Sequence, residues 1–135
     1  MFSLTIVTPE RILYEGEVRS LVAPGSDGYF GVLSNHAPLI SALKPGCLEL
    51  RDAEDKRSLM AVSGGFIEVS HNKATLLVDA AEFKAEIDVE RARSALERAR
   101  KRLLEGQNRD SRISTARAQA GLARAFNRLN VSDME

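Results

Sequence analysis

The spacing of apolar residues changes once along this chain, near residue 86, and this change constrains the fold more than any other feature. Before it, short β-rich runs alternate with turn residues. After it, apolar residues recur every three or four positions, as they do along one face of a helix. The sequence therefore predicts two segments of different secondary structure, residues 1–86 and residues 87–135.

The first segment, residues 1–86, is predicted to be an antiparallel β-sandwich. Its β-rich runs are FSLTIV, ILYEG, EVRSLVAP, APLISAL, GCLELRD, SLMAVS, GFIEVS and KATLLVD. Turn residues separate these runs, because glycine permits positive φ and proline has no amide donor for a central strand. The residues predicted to lie between strands include Pro24, Gly25, Pro45, Gly46, Gly64 and Gly65.

The second segment, residues 87–135, is predicted to be an antiparallel α-helical hairpin. Asp88 is placed to cap a first helix of roughly four turns, since its carboxylate can accept bonds from first-turn amides. Gly106, Gln107 and Asn108 end that helix, and a second helical pattern runs to Leu129. The fold class is thus α+β. Alanine dominates the facing positions, so we expect a hairpin that buries little apolar area and can open.

Few side chains can support catalysis or metal binding. The single cysteine, Cys47, has no disulfide partner and is predicted to be a small, partly buried thiol. His36 and His71 are the only histidines, so no metal site with ligand-like spacing can be assembled. Ser34 lies near His36, but no G-x-S-x-G motif accompanies the pair. The sequence therefore predicts a protein that is not an enzyme.

Membrane association is expected only through another chain. No stretch approaches the ~20 consecutive apolar residues that a membrane span requires. The strand pattern begins at Phe2, which leaves no room for a signal peptide.

The net charge of zero conceals an asymmetry between the segments. Residues 1–87 carry 8 basic and 12 acidic side chains, whereas residues 88–130 carry 11 basic and 5 acidic ones, a net +6. One hypothesis is a free basic nucleic-acid-binding module. Against it, Phe126 is the only aromatic residue in the basic segment that could stack on bases. We therefore expect no nucleic-acid partner.

Residues 25–39 form the motif GSDGYFGVLSNHAPL, with three glycines at intervals of three. Such glycines can cradle a phosphate when a strand precedes them and a helix follows directly. Here Pro38 and a β-like run follow, so a tight surface loop is predicted instead.

The same motif resembles the G-x-x-G-x-x-G and H-A-P-L stretch of the epsilon subunits of F-type ATP synthases. Residues 43–46 (LKPG), 62–66 (VSGGF) and 87–92 (IDVERA) follow in that family's order. The resemblance covers essentially the whole chain. It implies a ten-stranded β-sandwich with two helices alongside.

By this resemblance the chain is a non-catalytic rotor subunit of a proton-translocating ATP synthase, requiring no cofactor. It would bind the gamma subunit of the central stalk, rest on the c-subunit ring and help couple proton flow to ATP synthesis. The inhibitory state of the family places the helices against the alpha and beta subunits. The expected location is the cytoplasmic side of the bacterial plasma membrane, as a peripheral protein.

The resemblance implies two sites. Exposed Tyr29 and Phe30, together with His36, would contact the c ring. ATP, as a regulatory ligand, would bind at the hairpin. The residues implied for that site are Glu82, Asp88, Arg91, Ala92, Arg98, Arg124 and Arg128.

The arginines of the hairpin admit two interpretations. Two on each helix share a face, and guanidiniums converging across the hairpin could hold a triphosphate by bidentate bonds. Alternatively, the arginines form ordinary ion pairs on a solvated face. Their partners would then be Glu90, Glu97 and Asp110.

Overall fold

The structure is a computed structural model that describes residues 1–106 and 112–134. The chain forms two compact units, residues 1–84 and residues 85–135. Within the described ranges, no helix combines the length and the apolar character that crossing a membrane would require.

The first unit is a β-sandwich with seven strands among the described residues. The strands are β1 Phe2–Val7, β2 Ile12–Gly25, β3 Gly28–Val32, β4 Leu39–Asp52, β5 Arg57–Ser70, β6 Lys73–Val78 and β7 Ala81–Phe83. Their hydrogen-bonded order is β1-β6-β5-β4-β2-β3, with β7 on β5, and a further β1–β2 pairing closes the sheet into a barrel-like sandwich. The predicted sandwich is confirmed. Its strand pairs are antiparallel except β1–β6, which is parallel.

Alternation along the strands sends one set of side chains into the core. In β1, for example, Phe2, Leu4 and Ile6 are buried while Ser3 and Thr5 are partly exposed. Burying one large apolar side chain stabilises the fold by about 1.5–3 kcal/mol, and a one-residue slip would expose the whole set. The largest wholly buried side chains include Phe2, Leu4, Ile6, Leu21, Leu48, Leu50, Met60, Ile67 and Leu76.

Three strands are longer than predicted. Strands β2, β4 and β5 have 14 residues each, and each joins two of the predicted runs. The prediction that Pro24, Gly25, Pro45 and Gly46 lie between strands is therefore wrong. The β2–β4 register shifts here: Pro24 lies between Val22 and Gly25 of β2, and Pro45 lies between Leu43 and Glu49 of β4. Their missing amide hydrogens therefore interrupt no regular part of that ladder. The described residues thus hold seven strands rather than the ten that the resemblance implied.

Strand β5 also passes through a glycine pair that was predicted to separate two strands. Gly64 and Gly65 have φ angles of 112° and 139°. A Cβ atom at Gly65 would lie 2.0 Å from the carbonyl oxygen of Leu77. Only glycine lets the two backbones approach this closely, so β5 continues through the pair instead of ending there.

The loop predicted over residues 25–39 is partly wrong. Residues 28–32 form β3, an edge strand that pairs with β2 from Leu21 to Gly25. The connection between these strands is the two residues Ser26 and Asp27. Residues 33–38 do form a loop.

Two helices follow a 3₁₀ turn at Lys84–Glu86. They are α1 Val89–Gly106 and α2 Arg112–Asp133. Oδ1 of Asp88 accepts a hydrogen bond from the Arg91 amide at 3.1 Å, which confirms the predicted N-cap. At 18 residues, α1 has about five turns, one more than predicted. Gln107 and Asn108, two of the predicted helix-ending residues, lie outside the described residues.

The helices pack against each other as the predicted hairpin. A Cβ atom at Gly121 of α2 would lie 3.9 Å from Cβ of Ala99, so the helices approach closely there. Small side chains allow this approach at the cost of buried area. The buried apolar residues described in the two helices are Ala92, Leu96, Ala99, Ala125 and Val131.

Candidate functional site

The loop between β3 and β4, residues 33–38, is hereafter the His36 loop. The His36 amide donates to the carbonyl of Leu33 at 3.2 Å and closes a turn. Asn35 has a φ of 61°, a conformation that asparagine adopts more readily than most residues. The Asn35 amide donates to Oδ1 of Asn72 at 2.7 Å. The loop is therefore shaped by a local turn and by a link to a distant segment.

The ring of His36 is partly buried, and its Nδ1 lies 2.7 Å from the carbonyl oxygen of Ala37. Because a carbonyl can only accept, Nδ1 carries the hydrogen in this contact. In the neutral ring Nε2 is then an acceptor. His36 can thus offer an acceptor to a donor group on a partner.

The two aromatic residues of β3 differ in exposure. Tyr29 is 55% exposed, and its hydroxyl oxygen accepts a hydrogen bond from the Cys47 amide at 3.0 Å. Phe30 instead packs against the sandwich core and is only partly exposed. The expectation that Phe30 is an exposed anchor is therefore wrong. The alternation of β3 turns it inward, and of the two rings only Tyr29 is well exposed.

An apolar groove, which sequence reasoning missed, lies on the outer face of the sandwich. Phe66 and Leu77 are 59% and 58% exposed and oppose each other across β5 and β6. Ala42 of β4 opposes Phe66, and Val7 of β1 opposes Leu77. The groove beside these four residues has a volume of about 670 Å³. Four adjacent strands thus present a continuous apolar surface.

The signal for this groove was present in the strand pattern. In β5, Ile67 and Val69 point inward, so Phe66 must point outward. In β6, Leu76 and Val78 are buried, which leaves Leu77 outside. An apolar residue at an outward position is weak information alone, and only the register shows that Phe66 and Leu77 are neighbours.

The arginines of α1 differ in their partners. Glu90 pairs with Arg93 at 4.0 Å and Glu97 with Arg100 at 3.6 Å. Arg91 and Arg98 are exposed. Neither makes an ion pair with any residue that the structure describes. Glu90 and Glu97 therefore do not pair with Arg91 and Arg98 as that alternative expected, although the exposure of both arginines agrees with a solvated face. Asp110 lies outside the described residues.

On α2, Arg124 is exposed and Arg128 is partly exposed. A Cβ atom at Gly121 would lie 3.9 Å from Nη2 of Arg124 as well as from Ala99. The guanidinium of Arg124 is thus next to the helix–helix contact, at the level of α1 where Ala99 follows Arg98.

Two other residues implied for the ATP site are placed differently. Ala92 is wholly buried, and its amide donates to the Asp88 carbonyl at 3.0 Å. The buried methyl group packs within the helical hairpin, and the role in ATP binding that the resemblance implies for Ala92 stays a prediction. Glu82 lies on β7, opposite Ala61 of β5, and is partly exposed.

Cys47 lies in β4 and is buried. Burial and, secondarily, the Glu49 carboxylate raise the pKa of its thiol. A protonated, buried sulfur is a poor nucleophile. The predicted small thiol is confirmed, and it is buried rather than partly buried.

Together, the groove, the His36 loop and the basic hairpin define a two-domain protein with surfaces suited to binding. Residues 1–84 match the family described as ATP synthase, Delta/Epsilon chain, beta-sandwich domain. Residues 85–133 match the ATP synthase, Delta/Epsilon chain, long alpha-helix domain. The chain therefore belongs to the ATP synthase delta/epsilon chain family and is a non-catalytic subunit.

Curated relatives support the same assignment. The chain is 46% identical over 132 residues to the ATP synthase epsilon chain of Syntrophomonas wolfei, covering 98% of this chain and 94% of that protein. It is also 46% identical over 130 residues to the epsilon chain of Moorella thermoacetica, covering 96% and 95% of the two chains.

Solved structures support the fold. A chain of the Euglena gracilis mitochondrial ATP synthase, from a structure of its OSCP/F1/c-ring, aligns with a TM-score of 0.77 at 24% identity, covering 92% of this chain and 76% of that one. A chain of the Tetrahymena thermophila mitochondrial ATP synthase central stalk and c ring aligns with a TM-score of 0.62 at 15% identity, covering 96% and 95%. At these identities the likeness concerns the fold alone.

Proposed function

We propose that this chain is the epsilon rotor subunit of a bacterial proton-translocating F-type ATP synthase. In this role it binds the gamma subunit, contacts the c ring, and restrains ATP hydrolysis with an ATP-sensitive hairpin. The observation that carries the proposal is a difference in surface chemistry: the sandwich exposes an apolar groove, whereas α1 exposes arginines without acidic partners among the described residues. The complex holds the chain on the cytoplasmic side of the plasma membrane.

The apolar groove is the proposed surface for gamma. Single exposed apolar residues are common, whereas adjacent ones on several strands are typical of an interface. Among the described residues that line the groove, Asp79 alone is charged. Covering this surface therefore removes apolar area from water with little desolvation of charge.

Phe66→Glu tests the gamma surface, because it places a charge in the middle of the groove. We expect the affinity for purified gamma to fall by about thirtyfold, as for a residue central to an interface. The matched control is Phe126→Glu, which changes a phenylalanine of similar exposure, 54% against 59%, on α2. Equal affinities of the two variants would contradict the assignment.

The His36 loop and Tyr29 are the proposed contact with the c ring. Leu33 of this loop is 65% exposed, and the acceptor Nε2 of His36 can receive a hydrogen bond from a polar loop of the ring. A mixture of exposed apolar and hydrogen-bonding groups is typical of an interface that is also partly hydrated.

The hairpin is the proposed ATP sensor. Arg91 and Arg98, seven residues apart, lie on one face of α1, and Arg124 adds a guanidinium beside the helix–helix contact. Free guanidiniums can bind a triphosphate by charge-assisted bonds. The neighbouring arginines Arg93 and Arg100 already have glutamate partners and are less available.

ATP and the acidic surfaces of the alpha and beta subunits compete for the same positive charge. ATP bound to the arginines favours the compact hairpin. When ATP is scarce, the hairpin opens and its net +6 segment is attracted to acidic surfaces in the head of the complex. The switch follows from the different affinity of ATP for the two states.

Calorimetric titration with ATP tests the sensor, with Arg98→Ala compared with Arg100→Ala. Both variants remove one positive charge from α1, but only Arg98 lacks an ion pair among the described residues. We expect Arg98→Ala to weaken ATP binding by at least about tenfold, as for a hydrogen bond to a charged group, and Arg100→Ala to have a small effect. Equal weakening in both variants would mean that ATP is attracted by the overall positive charge of α1 and not bound at a specific site.

Restraint of hydrolysis is tested in the assembled enzyme. Deleting residues 88–135 should raise its ATP hydrolysis rate at low ATP concentration, because the blocking element is gone. An unchanged rate would contradict inhibition by the hairpin and leave the docking role intact.

A further inference from the structure

We infer that Asn72 positions the His36 loop by joining it to the start of β1. The conformation of the loop can be measured on this chain alone, whereas the effect of Asn72 on the c-ring contact rests on the proposed function. Asn72 lies outside the sequence motif that marks the loop, and is 36 positions away from His36 in the chain.

Asn72 lies in the two-residue turn between β5 and β6. His71 and Asn72 have φ angles of 50° and 59°, and positive φ at both central positions defines a type I′ turn. Such a turn needs residues that tolerate this conformation, which asparagine and glycine do. The turn therefore accounts for the backbone of Asn72 but requires no contact from its side chain.

The side chain of Asn72 makes two contacts outside its own turn. Oδ1 accepts a hydrogen bond from the Asn35 amide at 2.7 Å, and Nδ2 donates to the carbonyl oxygen of Met1 at 2.9 Å. The Asn72 backbone carbonyl also accepts from the Ser3 amide at 3.2 Å. One residue thus joins the loop, the β5–β6 turn and the start of β1.

Among the residues that the structure describes, the hydrogen bond from Asn35 to Asn72 is the one that joins the loop to a segment outside it. The contacts of His36 itself, to Leu33 and Ala37, are local. Local contacts give the loop a shape but do not fix its orientation on the sandwich. Because Asn35 directly precedes His36, the bond from Asn72 fixes the point from which the imidazole and the exposed side chain of Leu33 project.

Three variants separate the side-chain contacts from the turn. Asn72→Gly keeps the positive φ and removes both side-chain bonds. His71→Gly is the matched control, since it places glycine at the other central position of the same turn without touching the loop. Asn72→Asp retains an acceptor for Asn35 and loses the donor to Met1.

Amide hydrogen exchange on the full chain, measured by NMR, decides the inference. We expect the Asn35 amide to exchange about fivefold to tenfold faster in Asn72→Gly, as for loss of one hydrogen bond. Its exchange should be unchanged in His71→Gly, and Asn72→Asp should stay near the parent rate. Equal exchange at Asn35 in the two glycine variants would overturn the inference.

Cross-linking in the assembled ATP synthase tests the consequence. With His36→Cys in the chain and a cysteine in the polar loop of the c subunit, Asn72→Gly should lower the disulfide yield several-fold and His71→Gly should not. If the parent with His36→Cys forms no cross-link, the proposed c-ring contact fails. The exchange result still decides whether Asn72 orders the loop.

Discussion

The two units of this chain have interiors of different composition, although each excludes water from apolar residues. The sandwich core is built mainly from leucine and valine, with isoleucine, phenylalanine, methionine and two alanines. Three of the five buried apolar residues described in α1 and α2 are alanines. A buried methyl group contributes about 0.8 kcal/mol, against about 1.5–3 kcal/mol for a large apolar side chain.

This difference matches the roles proposed for the units. A domain that binds two partners at once, as proposed for the sandwich, benefits from a single stable structure. A switch, as proposed for the hairpin, needs an element that opens at a low cost in free energy. The closed ladder of strands gives the sandwich a high local stability. The thin helix–helix contact gives the hairpin a low one, so the two properties lie in separate parts of one chain. Four predictions test this difference between the units.

The largest effect is expected from Gly65→Ala in the sandwich. The added Cβ would lie 2.0 Å from a backbone oxygen at a φ of 139°, so strand β5 or β6 must move. We expect a loss of more than about 4 kcal/mol in the free energy of unfolding, measured with urea. Gly28→Ala, at a φ of 132° with nothing within 4 Å, should show only the cost of the conformation, about 1–3 kcal/mol. Similar losses in both variants would mean that close packing of the strands is not what makes Gly65 necessary.

Leu96→Ala should destabilise the hairpin with little effect on the sandwich. Leu96 is 9% exposed, so we expect a loss at the lower end of the range of about 2–5 kcal/mol for leucine truncation. Hydrogen exchange should show the loss at amides of α1 and α2. An equal loss of protection from exchange at amides of β1 and β6 would show that the two units unfold together, which would contradict the proposed difference in their stability.

Asp88→Ala should weaken the start of α1 by about 1 kcal/mol, because the Arg91 amide loses its acceptor. Asp88→Ser should recover most of this loss, since serine also caps helices. Helix content by circular dichroism checks both variants. The serine variant is also the cleaner test of ATP binding, because it removes the carboxylate while keeping the cap, and loss of the cap alone must not be mistaken for loss of a ligand contact.

The smallest effect concerns the pH dependence of the sandwich. The raised pKa of Cys47 means that the folded state holds this proton more tightly than the unfolded state. Its contribution to stability is therefore fully present below the ordinary thiol pKa of about 8.5 and is lost as the pH rises through the folded-state pKa. Urea unfolding between pH 8 and 10 should show a shallower fall in stability for Cys47→Ala. A parallel fall in both proteins would assign the pH dependence to other groups.

The features that sequence predicted correctly depend on short-range patterns. The change of period predicted a β-sandwich followed by a helical hairpin, and Asp88 could be recognised as a cap because a helix start is a local feature. The run FSLTIV was recognised as a strand from its composition and pattern, and the structure has it as β1.

The features that the sequence did not predict depend on contacts between residues that are distant in the chain. Pro45 was placed between strands because the register shift that accommodates it involves β2, more than 20 positions away. Phe66 and Leu77 become one surface only through the β5–β6 register. The role of Asn72 depends on Asn35 and Met1, and no local pattern links these three positions.

The parallel pairing of β1 with β6 also limits how early the sandwich can be completed while the chain is being synthesised. Strand β1 is made first, but one of its two neighbours is Lys73–Val78. On the ribosome the sheet cannot close until that segment has emerged. The second edge of β1 therefore stays unpaired until most of the domain has been made. The helices are translated afterwards and emerge when the sandwich can already be complete. A nascent chain stalled soon after β5 has emerged would keep the β1 edge open, and this stage is where mispairing with another chain is most to be expected.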